Sequence, residues 1–393
     1  MNPAPKPLTG TLILDLTRVL AGPFCTLVLA DLGARVIKIE RPDTGDDARS
    51  IGPFVAGQSA YFFSVNRNKE SIALDLEHAP DRHVFEMLLN RADVLIENFR
   101  PGVMEKLGYG WPVLSDRFPR LIFASISGFG QTGPYSQRPA YDMVVQAMGG
   151  IMSVTGHPGN PPTRVGSSIG DLAAGLYGAV AIESALLQRQ KTGKGERIDI
   201  AMLDCQVALL ENAIAQYEST GELPRPIGSR HPSITPFDVF RAADGWLVIA
   251  VGNDALFRKL CGLLGMPEIV ADRRFLDMES RCKHHDALKQ LIEQRLGASP
   301  CTYWRELLIK SGIPTGPYNT IEDVIGDPHL KARNMLLKLP ITDDRSLTVA
   351  GNPIKLGARV AADEQRLPPS LDEHRTAILA ELGLTSSAVT ATQ

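Results

Sequence analysis

Residues 11–40 read TLILDLTRVLAGPFCTLVLADLGARVIKIE. Thr11 to Leu16 is a short apolar run, as expected of a strand buried on both faces. Pro23 to Leu32 reads as a helix, with Pro23 tolerated in its first turn and Gly33 as its stop. Arg35 to Glu40 is a second strand. A strand, a helix and a strand of these lengths form a βαβ unit, which requires a parallel pairing.

The same alternation continues outward. Ser71–Leu76, Asp93–Glu97 and Leu121–Ile126 read as further strands, and about Asp81 to Asn90 as a helix. The fold class is therefore α/β, with an open parallel sheet. Two loops rich in Gly and Pro, 128–140 and 157–170, flank a helix expected over Tyr141–Met148. A long Ala- and Leu-rich helix is expected over Asp171–Gln190. The basic turn Lys191–Glu196, a strand at Arg197–Ile200 and a helix at Leu203–Tyr217 follow.

The pattern then changes. Pro224, Pro226, Gly228, Pro232 and Pro236 mark a linker. Beyond it, Phe237–Phe240 and Trp246–Val251 flank Asp244-Gly245, a hairpin signal. Helices are expected at about 254–264, 284–296 and 301–311, giving a smaller α+β domain over 225–325. The tail from Thr385 onward is expected to be disordered.

A chain of 393 residues is long for one compact core, so two domains are the natural division. Lys and Arg number 41 against 44 Asp and Glu, a balance that gives no support to nucleic-acid binding. The five cysteines are scattered and form no CxxC pair, which argues against a disulfide framework and a zinc site and suits a reducing compartment, with the cytoplasm expected. The first residues carry no apolar signal core, and the apolar run Val19–Ala30 is too short to span a membrane. No nucleic-acid or membrane partner is expected.

Neither GxGxxG nor GxxxxGK[ST] occurs, so dinucleotide binding and ATP hydrolysis lack sequence support. GxSxG is also absent. His157 and His231 have no partner at metal-ligand spacing, so no metal site is expected. The turn Leu20-Ala21-Gly22-Pro23 follows the first strand, where ligands bind in open α/β sheets. Basic residues recur at corresponding strand ends, in Arg41, in Arg67 and Lys69, and in Arg100, where a phosphorylated ligand would lie. Asp171 follows Gly170 at the head of the long helix. A carboxylate there is held ionised by free amides and can act as a nucleophile. Asp is equally a favoured helix cap, and from the residues alone the cap is the stronger reading. Asp142 also sits at a helix start, and capping is its expected role.

These pieces join in one series: Leu14–Pro23, Asp31–Glu40, Asn66–Lys69, Asn98–Gly102, Ser127–Gly130, Ala140–Asp142 and Lys191–Gly195. In order and spacing, from about residue 8 to about 370, the series resembles the class III CoA-transferases, whose relatives include the α-methylacyl-CoA racemases. Within that family, Arg18–Pro23, Ser64–Lys69 and Gly130–Pro134 are most similar to the succinate–hydroxymethylglutarate type.

The resemblance implies a Rossmann-like large domain of residues 1–224 and 326–393, the small domain 225–325, and an interlocked homodimer. It implies Asp171 as the nucleophile, forming an aspartyl anhydride and then an aspartyl-CoA thioester. It implies CoA contacts at Leu20, Ala21, Arg41, Lys69, Asn98, Phe99, Arg100 and Lys106. Tyr141 and the loop Gly228, Ser229, Arg230 and His231 match substrate-facing positions, although this loop has fewer glycines than the mobile loop of formyl-CoA transferase. The implied partners are an acyl-CoA, with succinyl-CoA as donor, and a short dicarboxylic acid such as itaconate, glutarate or hydroxymethylglutarate. No cofactor is implied, because the coenzyme A thioester is a substrate. Arg164, Arg230 and His231 are candidate cations for a second carboxylate. Oxyanion donors are expected from the 228–232 loop and the head of the 171 helix. The racemases carry His-Asp where this chain has Tyr141-Asp142. A phenol is a poor base at neutral pH, which favours transfer over racemisation. An oxalate- or formyl-type transferase, a racemase and a silent CoA-binding protein are the alternatives.

Overall fold

The protein is seen here as a computed structural model that describes residues 5–356 and 365–385. The tail expected to be disordered lies, beyond Thr385, outside the described residues. The chain divides into two compact units. One holds the residues up to Met152, Arg164–Gly221 and those from Pro328 onward, and the other holds Ser153–Thr163 and Glu222–Asp327.

The first unit is built on six parallel strands: β1 (Leu12–Asp15), β2 (Arg35–Glu40), β3 (Lys69–Ala73), β4 (Val94–Glu97), β5 (Ile122–Ser127) and β6 (Arg197–Ala201). Their spatial order is β3-β2-β1-β4-β5-β6, all paired in parallel. This is the doubly wound Rossmann order, which reverses direction between β1 and β4. The β3 strand starts two residues before its expected position, because Lys69 is in register with Val36. Its first residues are charged, which hides them from a search for apolar runs.

Helices of this unit include α1 (Ala21–Asp31), α2 (Ala60–Asn66), α3 (Ala79–Leu89), α4 (Asp142–Met148), α5 (Ile169–Thr192), α6 (Met202–Ala208) and α7 (Ala213–Thr220). The α2 helix had no clear sequence signal. The helix expected over Leu203–Tyr217 is two helices instead. The chain breaks between them at Leu209–Asn212, where Glu211 takes a positive φ of 56°. The α5 helix is long and apolar enough to cross a membrane by length and composition, yet half of that stretch is buried. It packs against α1 and β5 as a core helix. Approach between α1 and α5 is close: a Cβ on Gly175 would lie 2.7 Å from the Ala21 carbonyl oxygen.

The outer edge of β3 is covered by the segment that returns from the far end of the chain. The Ala73 amide donates to Asp372, the Ser71 amide to the His374 ring, and the Asn68 amide to the Arg366 carbonyl. Arg375 in turn donates to the Ala73 carbonyl at 2.7 Å.

In the second unit, β7 (Phe237–Arg241) and β8 (Trp246–Ala250) form the expected hairpin, and β9 (Thr315–Pro317) pairs antiparallel with β8. Helices α8 (Asp254–Leu263), α9 (His285–Leu296) and α10 (Cys301–Lys310) complete it, and Phe240, Leu247 and Ile249 of the strands join Phe257 and Leu288 of the helices in its core. A fully buried guanidinium, Arg281, donates to the Thr235 and Phe275 carbonyls and to Asp254.

Candidate active site

A doubly wound sheet opens a crevice beyond the strand ends where its order reverses. Here the chain leaving β1 and the chain leaving β4 bound two cavities. The larger, of about 830 Å³, is lined by Thr17, Arg18, Arg41, Leu74, Phe99 and Arg100 among others. The smaller, of about 270 Å³, is lined by Leu20, Ala21, Asn98, Tyr141, Arg138 and Asp171 among others. Arg18, Phe99 and Arg100 line both. The larger is within the usual range for a cofactor-sized ligand, and the smaller admits a compact one.

The turn between β1 and α1 is held by buried polar groups. Asn98 accepts the Arg18 amide and donates to the Arg18 carbonyl, both at 2.8 Å. Lys38 donates to the Thr17 carbonyl at 2.7 Å and pairs with Asp46 at 2.8 Å, with both side chains out of solvent. Asp46 accepts the amides of Val19 at 2.9 Å and Ala48 at 2.8 Å. Val19 holds φ 67°, a left-handed conformation that a β-branched residue rarely takes. The α1 helix begins directly after, at Ala21, and no side chain caps its first amides.

Of the charged groups lining the larger cavity, Arg18, Arg41, Glu40 and Asp46 form ion pairs, while Asp43, Asp75, Glu77 and Arg100 form none among the described residues. Arg18 and Arg41 share one carboxylate, Asp47, at 3.0 and 2.6 Å. Glu40 is spent on Arg49, on the Ser71 hydroxyl and on the Asp46 amide. Arg41 and Arg100 are exposed and Phe99 is half-buried, and all three line the larger cavity.

Three expected CoA contacts need correction. Lys69 is fully buried, and its three donors go to Asp15, the Pro23 carbonyl and Asn66. Burial lowers its pKa to about 8, while Lys69 and Lys38 together overcome the burial of Asp15 and lower that group to about 2. An ammonium so enclosed has no hydrogen left for a phosphate. Asn98 reaches the smaller cavity, but its amide is occupied by the backbone of Arg18. Lys106 is exposed on the short helix Val103–Lys106, and its neighbours Val103 and Leu107 line the larger cavity instead.

Asp171 lies on the wall of the smaller cavity, in the first turn of α5. It does not cap the helix. The helix starts two residues earlier, at Ile169, and Ser168 holds the cap position. No hydrogen bond or ion pair to the Asp171 carboxylate occurs among the described residues. Burial, and then the charge of Asp142, raise its pKa to about 7. The expected low value is overturned: desolvation and a like charge outweigh the helix terminus.

Asp142 performs the capping that was expected of it, but on a different helix. Its Oδ1 accepts the Gly170 amide at 2.8 Å and its Oδ2 accepts from Gln146 at 2.7 Å. That occupies one amide expected to serve an oxyanion. A Cβ on Gly170 would lie 2.8 Å from Val145 Cγ2 and 3.0 Å from Asp142 Oδ1, so only glycine permits this contact. Arg164 stands 3.7 Å from Asp142 and donates to the Gly166 carbonyl. Tyr141 is 79 % exposed beside the cavity. Tyr61 on α2 carries no sequence signal. Its hydroxyl is pushed up to about 12 by burial and by the charge of Asp171, Asp46 and Asp142.

Gly228, Ser229, Arg230 and His231 belong to the second unit. There the Gly228 amide donates to the Gly156 carbonyl at 2.8 Å, and Ser229 donates to Asp238. His285 and Lys289 also hold Asp238, and these bonds keep its carboxyl far below the ordinary range against the burial that opposes them. The His231 amide donates to the Phe237 carbonyl, and its ring packs on Phe237. The turn is thus tied down at three of its four residues.

Residues 8–375 match the family model described as CoA-transferase family III. The chain is 47 % identical over 376 residues to an acetyl-CoA:oxalate CoA-transferase of Acetobacter aceti, covering 95 % of each. It is 39 % identical over 388 residues to a succinate–glutarate CoA-transferase of Agrobacterium fabrum, covering 96 % of each. Among solved structures, a CAIB/BAIF family protein from Brucella suis superposes with a TM-score of 0.84 at 40 % identity, over 96 % of this chain and 100 % of that one.

Proposed function

The chain belongs to CoA-transferase family III, and from that membership we propose that it exchanges CoA between an acyl-CoA and a short dicarboxylic acid, with Asp171 as the group acylated. The observation that carries this is the Asp171 carboxylate itself. It is partly buried, without a hydrogen-bond or ion-pair partner among the described residues, and placed on a small cavity that shares three wall residues with a nucleotide-sized one.

The chemistry needs no energy source, because one thioester replaces another. An Asp171 oxygen attacks the thioester carbonyl carbon. The C–S bond breaks, giving a mixed anhydride and CoA thiolate. The thiolate attacks the Asp171 carbonyl, releasing the donor acid and leaving an aspartyl-CoA thioester. An acceptor carboxylate attacks that thioester, forming a second anhydride and freeing the thiolate. The thiolate then takes the acceptor acyl group and regenerates Asp171. The uncapped first amides of α1, beside Leu20 and Ala21 on the cavity wall, are suited to the developing oxyanion.

Relatives whose names specify oxalate or glutarate point to short dicarboxylates, and a cavity of about 270 Å³ suits them. Succinyl-CoA and acetyl-CoA are the donors to try first. The test is incubation with each donor followed by borohydride and mass analysis of the Asp171 peptide, with oxalate, glutarate and itaconate then offered as acceptors. Reduction of the aspartyl side chain to an alcohol, and its loss in Asp171→Ala, are expected. Full exchange with an unmodified Asp171 would sink the proposal.

A homodimer is part of the same reading. Leu176, Val180 and Leu187 of α5 are 49, 61 and 62 % exposed on one helix face, and Ile214 and Tyr217 of α7 are also exposed. An apolar face of this kind suits burial against a second copy. Light scattering at micromolar concentration tests it. All five cysteines are free thiols, as a reducing compartment would keep them, and we place the protein in the cytoplasm.

A further inference from the structure

Three side chains hold the backbone of the turn Thr17–Val19. The Thr17 carbonyl goes to Lys38, both backbone groups of Arg18 go to Asn98, and the Val19 amide goes to Asp46. Lys38 and Asp46 are buried and paired with each other, so the two ends of the turn are fixed by one ion pair. Inside this cradle Val19 is held at φ 67°. Strained backbone that persists in a branched residue is maintained by its surroundings, and it is found where geometry matters for function.

The next residues show what the geometry serves. Arg18 lines both cavities, and Leu20 and Ala21 line the one that holds Asp171. The first amides of α1 follow within the same few residues. Were Val19 to relax to negative φ, Arg18 and the head of α1 would swing relative to Asp171. We infer that Asp46 and Lys38 are positioning residues for acyl transfer, acting by holding Val19 in its left-handed conformation. The inference rests on acylation at Asp171, and borohydride trapping on the wild-type protein tests that premise separately.

The test is a double-mutant cycle on Asp46 and Val19, read as kcat and KM for acyl-CoA. Asp46→Ala is expected to lower kcat about 10- to 100-fold, the scale of a misplacement near 1 Å, with KM changed much less. Glycine adopts positive φ without strain. In a Val19→Gly background the same Asp46→Ala change is therefore expected to cost less than about threefold. A purely structural role for Asp46 predicts equal losses in both backgrounds, and that result overturns the inference. So does a wild-type kcat in Asp46→Ala. Should Asp46→Ala leave too little folded protein, Lys38→Met/Asp46→Ala removes both charges together and is read in the same two backgrounds with the same expected ratios.

Discussion

The Oδ1 atom of Asp142 accepts the amide hydrogen of Gly170 at 2.8 Å, which ties one carboxylate to the residue immediately before another. Asp142 thereby anchors the head of α5 and places its charge where it raises the pKa of Asp171. One side chain thus helps set where Asp171 stands and adds to the burial that raises its pKa.

Acylation should follow the ionisation of Asp171. Only the carboxylate attacks, so kcat/KM for the acyl-CoA is expected to rise about tenfold per pH unit below about 7 and to level off above it. Asp142→Asn removes the neighbouring charge and keeps an oxygen for the Gly170 amide. It should move the rising limb to lower pH. A wild-type profile that is flat from pH 5 to 8 contradicts this.

The same group should cost stability. Unfolded, Asp171 loses its proton near the ordinary carboxylate value. Folded, it keeps the proton up to about 7. The folded state binds more protons between those values, so stability falls as pH rises through that window. Asp171→Asn escapes this and should be more stable than wild type at pH 8 by about 1–2 kcal/mol, a discount for partial exposure included. The gain should vanish below pH 4. Thermal melts at the two pH values measure it, and the variant should form no adduct.

Gly170→Ala places a methyl group 2.8 Å from Val145 and 3.0 Å from Asp142. Overpacking of this kind costs about 1–3 kcal/mol. Because the Asp142 bond is displaced with it, kcat is expected to fall by more than the stability loss alone would bring. Activity measured well below the melting temperature separates the two. Unchanged kcat in folded protein would show that the Asp142–Gly170 bond is dispensable.

Lys69 and Arg41 should part company. Lys69→Met leaves Asp15 buried beside a lost cation, which costs about 3–5 kcal/mol. The protein that remains folded should bind acyl-CoA with an unchanged salt dependence. Arg41→Ala should leave the melting temperature nearly unchanged, since its pair with Asp47 is exposed. It should raise the KM for acyl-CoA about tenfold, as loss of a charged hydrogen bond does. Titrations at two ionic strengths decide between them.

The sheet and its long core helix were legible because parallel strands buried on both faces read as plain apolar runs. Ile13, Leu14, Val36 and Ile37 are such positions. Lys38 broke the rule: it looks like an outward charge in a strand, and the structure closes it over Asp46. Partners of that kind come from distant segments, and no spacing announces them. The head of α5 was misplaced by two residues for a similar reason. Its cap group comes from Asp142, 28 residues upstream, so the local pattern at Asp171 could not reveal it. Asp171 was found through resemblance. Tyr61 carried no signal, because a tyrosine in an apolar helix looks like any other core residue.

The returning segment that covers β3 has a consequence for synthesis. The amides of Ser71 and Ala73 obtain their partners from His374 and Asp372, some three hundred positions later. At about 5–20 residues per second, the ribosome needs at least about 15 s to make the intervening chain. Throughout that interval the nascent sheet carries an open flank able to pair with a neighbouring polypeptide. The sheet edge therefore closes only once the residues around 372–374 have been made.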